Sequence, residues 1–380
     1  MPGLGAALQA RLPDLLADVE ELVSAESPTA DPSSVAKCAQ VVAGLGARLT
    51  GFAPEWLDAS GHPHLRWRFG SPDAADRVLL LGHYDTVWPV GSLATHPFGV
   101  AGGRLTGPGC FDMKAGVVQL FHALSVLDDL DGVTVLLTGD EETGAPSSRE
   151  LIEAEARRSR AVLVLEAAEG GALKTARKGV SSYDLRISGR AAHAGLEPQR
   201  GVNTTIELAH QVFALSVLAD PVTGTTVTPT VASSGSTVNT VPAAARLRVD
   251  VRVETTAEQA RVDAAMRGLD PVLAGASLQL HGGPDRAPLQ TTASAELFAR
   301  ARRLYAELGF GPLHGAAVGG GSDGNFTAGV GTPTLDGLGA VGGGAHADDE
   351  HVLVAELPRR AALVASLVRE LTAERNRRRP

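Results

Sequence analysis

The sequence predicts an α/β fold, with a mostly parallel sheet sandwiched by helices and a separate α+β module inserted into it. Three observations lead there. Three short apolar runs, Arg77–Gly82 (RVLLLG), Val133–Thr138 (VTVLLT) and Ala161–Glu166 (AVLVLE), are continuous rather than alternating, which suits strands buried on both faces. Helical patterns near 113–127 and 148–159 separate them, the order of a parallel sheet with helical crossovers. After Gly179 the pattern changes to alternating strands and two helices, in the order β-α-β-β-α-β of a ferredoxin-like module.

The elements follow in chain order. The first 23 residues are amphipathic. Beyond the three runs, the inserted module reads as a strand at 181–188, a helix near 201–218, strands near 225–233 and 244–254, a helix near 257–273 and a strand near 276–281. From about Ala287 the chain returns to long helices, near 294–308 and 354–375, around the Gly-rich stretch Gly319–Gly331. Pro358 is tolerated if it lies in the first turn of its helix. The expected division is a host domain of residues 1–178 and 288–380 with an insert of 179–287, hinged near Lys178 and Asp285–Pro288. A chain of 380 residues is long enough for two cores.

Composition is that of a globular protein, 44% hydrophobic and 20% charged. A net charge of −9 argues against nucleic acid or an anionic membrane as partner. The basic stretch Arg375–Pro380 reads as a solvated end. Cys38 and Cys110 are the only cysteines, so no disulfide framework is expected. Neither a signal peptide nor a bilayer-spanning apolar stretch is seen, and a cytoplasmic enzyme is the expectation.

All three runs end in polar residues: His83-Tyr84-Asp85, Asp140-Glu141-Glu142, and Glu166. In open α/β sheets ligands sit outside the carboxyl ends of the strands. His83 and Asp85, two apart, point the same way on an extended strand. Asp112 lies in GPGCFDMKAG, where a Gly/Pro turn runs into a helix, and His346 lies in GGGAHADDEHV. Each has an ordinary alternative. Asp112 could cap its helix, Asp85 could be a turn residue, and an acidic triplet suits the positive end of a helix. Taken jointly, so many carboxylates in one cleft need a positive charge. A divalent metal is the simplest source. Mixed imidazole and carboxylate ligands suit zinc, with cobalt or manganese as substitutes. Two metals about 3.5–4 Å apart could share a bridging carboxylate.

The segments LLLGHYDTVWP, GPGCFDMKAG, LLTGDEETGAPSSRELI, VLVLEAA, ISGRAAHAG, GVNT, NTVPAAARLRVDVR, GGGSDGN and HADDEHV occur in the order of the glutamate carboxypeptidase/aminoacylase-type dizinc metallopeptidases. From about Asp18 to Leu371 the chain resembles that family, and most of all its bacterial carboxypeptidase G type. The resemblance implies two zinc ions. His83 and Glu166 would serve one, Glu142 and His346 the other, and Asp112 would bridge them. Asp85 would hydrogen-bond the far nitrogen of His83. Glu141 would be the general base. The peptide bond Asp112–Met113 is expected to be cis, as it often is in that family.

The insert resembles the family's lid and dimerisation domain. His193 would be an oxyanion donor, often supplied to the partner subunit. Asn239 and Arg252 would contact the substrate carboxylate, for which the planar fork of Arg252 is suited, although a salt bridge within the insert is an equal alternative. Ser322, beside Gly320 and Gly321, would offer a hydroxyl. Lys174, Arg177 and Lys178 could attract an acidic substrate. Asp140 has no implied role and reads as a surface residue. Cys110 reads as a small buried residue, with a reactive thiol as the alternative. The function so implied is release of a C-terminal amino acid, glutamate favoured, from N-acyl or peptidyl substrates by a homodimer whose lid closes over the site. The alternatives are an aminoacylase or dipeptidase of the same family, or a metal-binding relative without catalysis.

Overall fold

The computed structural model describes residues 2–59, 61–71 and 74–378. The three apolar runs form neighbouring parallel strands, Arg77–His83, Val133–Thr138 and Ser159–Val164. Their alternation is hidden in sequence because both faces are covered. Val78 and Leu80 join an apolar cluster with residues of the helices Leu12–Ser24, Pro32–Thr50, Ala115–Leu124 and Glu356–Arg378. Leu79 and Leu81 join another with Ile152, Ala156 and Phe326 on the opposite face.

The sheet has six strands, in the order Glu55–Ala59, His62–Arg68, Val133–Thr138, Arg77–His83, Ser159–Val164, Thr334–Leu335. The first two form an antiparallel edge that apolar runs do not predict. EWLDA and HPHLRWR are polar-rich, and Pro63 interrupts the second. Helix ends follow local chemistry. Asp31 accepts the N–H groups of Ser33 and Ser34, Pro32 occupies the first turn, and Gly51 ends the helix at φ 79°.

Boundaries move where local residues require it. The helix expected to 273 stops at Arg267, before Gly268 and Pro271. The strand expected to 281 continues to Arg286, with a register shift at Pro284 that an edge strand tolerates. Within the Gly-rich stretch lies a short helix, Gly324–Gly329. The last helix runs to Arg378, and Arg375 is not solvated: it is buried, with Nη1 2.9 Å from the Asp131 carboxylate. Residues 379 and 380 of that basic stretch lie outside the described residues.

The chain divides into two compact units. One comprises Met1–Ala176, Thr291–Val318 and Ser322–Pro380 and holds the six-stranded sheet. The other comprises Arg177–Gln290 and Gly319–Gly321. The second unit is an antiparallel sheet in the order Thr226–Ser234, Ala244–Val253, Gly179–Ser188, Ser277–Arg286. Strict alternation along Ala244–Val253 puts Leu247, Val249, Val251 and Val253 on one face. There they pack with Leu208 and Leu215 of the helix Thr204–Ser216 and with Val262 and Met266 of the helix Thr256–Arg267. No helix among the described residues is long and apolar enough to cross a membrane.

Candidate metal centre

The carboxyl ends of the central strands of the first unit bring five side chains together. His83 closes the strand Arg77–His83 and is buried. Its Nδ1 lies 3.1 Å from the main-chain carbonyl of Asp85. A carbonyl can only accept, so in the neutral ring Nδ1 carries the hydrogen and Nε2 keeps its lone pair. That Nε2 faces Asp112 Oδ1 at 3.3 Å and Glu166 Oε1 at 3.5 Å. The second oxygen of Asp112 lies 3.4 Å from His346 Nε2, which is also 3.2 Å from Glu142 Oε2. Asp112 thus stands between the two imidazoles.

The local chain makes this arrangement. Asp112 sits in the tight turn Cys110–Lys114 and departs from helical dihedrals, and the Asp112–Met113 bond is cis, as expected. Gly82 in the neighbouring strand leaves room for Met113: a Cβ there would meet Met113 Cε at 2.7 Å and force the end of that side chain to shift. Glu141 and Glu142 share one turn, Glu141–Thr143, immediately after the strand Val133–Thr138. His346 lies in a loop and adopts φ 61°, left-handed backbone that non-glycine residues seldom take. Its ring is half exposed, whereas that of His83 is covered.

Asp85 faces the far nitrogen of His83 with two atoms, its carbonyl at 3.1 Å and its Oδ1 at 3.4 Å from Nδ1. The carboxylate is committed to three other donors. It accepts Thr29 Oγ1 at 2.6 Å and the main-chain N–H groups of Glu141 at 3.2 Å and Glu142 at 3.1 Å. Asp85 therefore ties the His83 strand to the turn carrying both glutamates. Thr29 carries no sequence signal for this contact.

Asp140 is a correction. Far from being a surface residue, it is fully buried, and its carboxylate accepts the N–H and hydroxyl groups of both Ser147 and Ser148. It folds the loop after the glutamates back on itself.

The electrostatics follow from crowding. Burial opposes a charge on His83, but the carboxylates of Asp112, Asp85 and Glu166 around the ring prevail and raise its pKa well above the ordinary value. Asp112 and Glu142 push His346 up to about 10. Burial disfavours the charged form of Asp112 too, but His346 and His83 hold its carboxyl low, whereas burial raises Glu142. Asp112 Oδ1 and Glu142 Oε1 are buried without a hydrogen-bond donor; His83 Nε2 is near the former, but not in a bonding orientation. Ligand atoms of His83, Asp112 and Glu142 lie within 4.8 Å of one another. Orphaned carboxylate oxygens beside imidazole nitrogens fit a divalent cation by both charge and donor type.

The other expected residues fall elsewhere or are engaged. Ser322 is buried, and its hydroxyl donates to Asp336 at 2.8 Å and accepts from Gly324 N–H, so it is engaged within the first unit. In the second unit His193 and Asn239 are neighbours: His193 pairs with Thr240, and Ala194 N–H donates to the Asn239 carbonyl. His193 Nδ1 accepts the N–H groups of Gly195 and Leu196, each at 3.1 Å, which leaves the hydrogen of the neutral ring on Nε2. Arg252 is not brought to this pair. It lies toward the far end of the strand Ala244–Val253, where its guanidinium holds Asp250 at 2.9 Å, the salt bridge that was the alternative. Gly320 and Gly321 belong to the second unit, where Arg177 donates to both their carbonyls and Arg286 lies beside Gly321. Lys178 Nζ donates to the carbonyl of Gly224. Lys174 is placed by a main-chain bond to Asp336. Cys110 is buried and burial pushes its thiol up, which removes support for a reactive role.

The sequence profile of Peptidase family M20/M25/M40 matches residues 79–370. Carboxypeptidase G2 of Pseudomonas sp. (strain RS-16) is 30% identical over 381 residues, covering 95% of this chain and 90% of that protein. A succinyl-diaminopimelate desuccinylase of Methylorubrum extorquens (strain PA1) is 29% identical, covering 90% of this chain and 98% of that protein. Among solved structures, the aminopeptidase PepT of Bacillus cereus shares the fold with a TM-score of 0.76 at 21% identity, covering 95% of this chain and 99% of that one. The M20 family metallo-carboxypeptidase of Sulfolobus solfataricus does so with a TM-score of 0.74 at 14% identity, covering 95% and 99%.

Proposed function

Because the chain belongs to Peptidase family M20/M25/M40, we propose that it is a dizinc hydrolase that cleaves the amide bond to a C-terminal amino acid, glutamate favoured, in N-acyl or peptidyl substrates. The observation that carries this reading is the Asp112 carboxylate between His83 and His346, with Glu142 against His346 and Glu141 adjoining it in the same turn. His83 and Glu166 would hold one cation, Glu142 and His346 the other, and Asp112 both. Cations bound there would polarise the scissile carbonyl and lower the pKa of the attacking water.

The protein's own groups do the rest. Glu141 takes a proton from the attacking water and passes it to the leaving amine. Asp85 keeps this base in place by holding its main-chain N–H, and fixes the His83 tautomer through its carbonyl. His193, with Nε2–H available, donates to the carbonyl oxygen as it gains charge. Replacing His193 by Ala should lower kcat by about 10²-fold and leave metal content unchanged. Wild-type turnover in that variant would remove His193 from the mechanism.

The second unit is proposed to serve as lid and dimerisation element. Its strand Thr226–Ser234 is a sheet edge, and the helix Thr204–Ser216 with the residue after it exposes Ile206, Phe213 and Val217. An open edge beside exposed apolar side chains suits a second copy of the chain. Sedimentation equilibrium should give twice the chain mass of 39.1 kDa; a single chain mass at micromolar concentration would exclude the dimer.

A second reading comes from the desuccinylase relative, whose name describes removal of an acyl group from a diamino acid. One assay separates the two. Zinc-reconstituted protein is given N-acyl amino acids that vary in both acyl group and C-terminal residue, and free amino acid is measured. Preference for glutamate across acyl groups supports the carboxypeptidase reading. Preference for a succinyl group on a basic or diamino acid supports the second. No release from any member would sink both.

A further inference from the structure

Glu350 is not used by the proposed mechanism, yet its surroundings are unusual for a carboxylate. It is 4% exposed. Oε1 accepts the main-chain N–H groups of Phe111 at 2.8 Å and Asp112 at 3.0 Å. Oε2 accepts the N–H of Gly109 at 2.9 Å and the indole N–H of Trp88 at 2.6 Å. Three amides converging from one tight turn make an anion-binding concavity, and here the anion is a side chain of the protein itself. Gly109 has φ 70°, and a Cβ there would meet the Thr86 side chain at 2.4 Å. The turn is therefore built tightly, and without Glu350 its buried N–H groups would lose their acceptor.

Glu350 also belongs to the loop that carries His346. That loop is closed by pairing of Gly342 and Gly343 with Val352 and His351, and His351–Leu353 pairs in turn with Arg104–Thr106, just before the Asp112 turn. One carboxylate thus joins two segments that each deliver a ligand-type side chain to the same cluster. We propose that Glu350 is a positioning residue that locks the Asp112 turn to the His346 loop and so presets the spacing of the metal ligands. This rests on the metal-hydrolase reading. The role demands a carboxylate: each oxygen accepts two hydrogens, and an amide nitrogen in either place would set a donor against two donors. Glu350→Gln, although isosteric, is therefore expected to be damaging.

The test is calorimetric titration of zinc into metal-stripped wild type and variants, with thermal denaturation of each apoprotein alongside. Glu350→Gln should raise the Kd for zinc about 10- to 100-fold, the range seen when a group orienting a ligand is lost. Glu207→Gln is the control. It removes a buried acceptor of the Val272 and Leu273 N–H groups in the second unit, and should lower Tm while leaving the Kd unchanged. Wild-type affinity in Glu350→Gln overturns the proposal, as does equal weakening in Glu207→Gln, which would mark the effect as general destabilisation. If Glu350→Gln does not fold, Trp88→Phe decides. Loss of that one donor should raise the Kd about two- to tenfold, and an unchanged Kd overturns the proposal. A wild type that binds no zinc would overturn the metal-centre reading and this role together, an outcome distinct from failure of the variants alone.

Discussion

Replacing Glu141 by Gln should lower kcat by about 10²- to 10⁴-fold, the scale of a general base, while the protein keeps its full complement of metal. The geometry separates these two effects. Glu142 makes a contact with His346 at 3.2 Å and carries a buried oxygen without a donor. The turn bearing both is held through main-chain N–H groups on the Asp85 carboxylate, so a change of side chain at 141 leaves its frame intact. Gln has the shape of Glu but cannot take up a proton from water. Turnover of the best panel substrate and metal content by elemental analysis read the two effects independently. Activity within a few-fold of wild type would make another group the base. Loss of metal along with activity would make Glu141 a ligand, and the division of labour between the neighbouring glutamates would fall.

Much of this site is legible in the sequence for a physical reason. A strand buried on both faces is a continuous apolar run, so its polar end residues stand out; His83, Glu141, Glu142 and Glu166 were visible as such ends, and Asp112 as the acid of a Gly-rich turn. The alternating insert was visible because one face of its sheet is solvated. What remained hidden depends on which partner each side chain takes once the chain is folded. Asp140 looks like part of an acidic surface triplet until Ser147 and Ser148 fold back on it. Arg252 offers a fork for a substrate carboxylate until Asp250, two residues before it on the same strand, takes it. Glu350 stands four residues after His346, but nothing in HADDEHV announces that its acceptors serve amides around Asp112. The edge strand Glu55–Ala59 and its neighbour His62–Arg68 lack an apolar run because their partly exposed position does not demand one.

The second large effect concerns Asp112. Zinc at about 100 times its Kd stabilises a protein by about 2.7 kcal/mol per site. For a unit of this size that corresponds to a rise in Tm of about 5–10 °C per site, at about 2–4 °C for each kcal/mol. Metal-stripped wild type should therefore melt well below the zinc-loaded form, and two equivalents should restore it. Asp112→Asn should bind at most one equivalent and regain no more than about half of that rise, by the same per-site figure. The reason lies in the two contacts of one carboxylate: Oδ1 faces His83 at 3.3 Å and Oδ2 faces His346 at 3.4 Å. Asn keeps one acceptor oxygen and turns the other atom into an N–H donor with no lone pair for a cation. One side of the cluster must then lose its ligand, whichever way the amide turns. Glu142→Gln, by contrast, alters the group in contact with His346 and is expected to spare the site proposed for His83 and Glu166. Two equivalents bound by Asp112→Asn with an unchanged rise in Tm would show that the carboxylate is not shared. No rise in wild type with zinc, cobalt or manganese would show that the cluster meets its excess negative charge with protons on His83 and His346 rather than with metal.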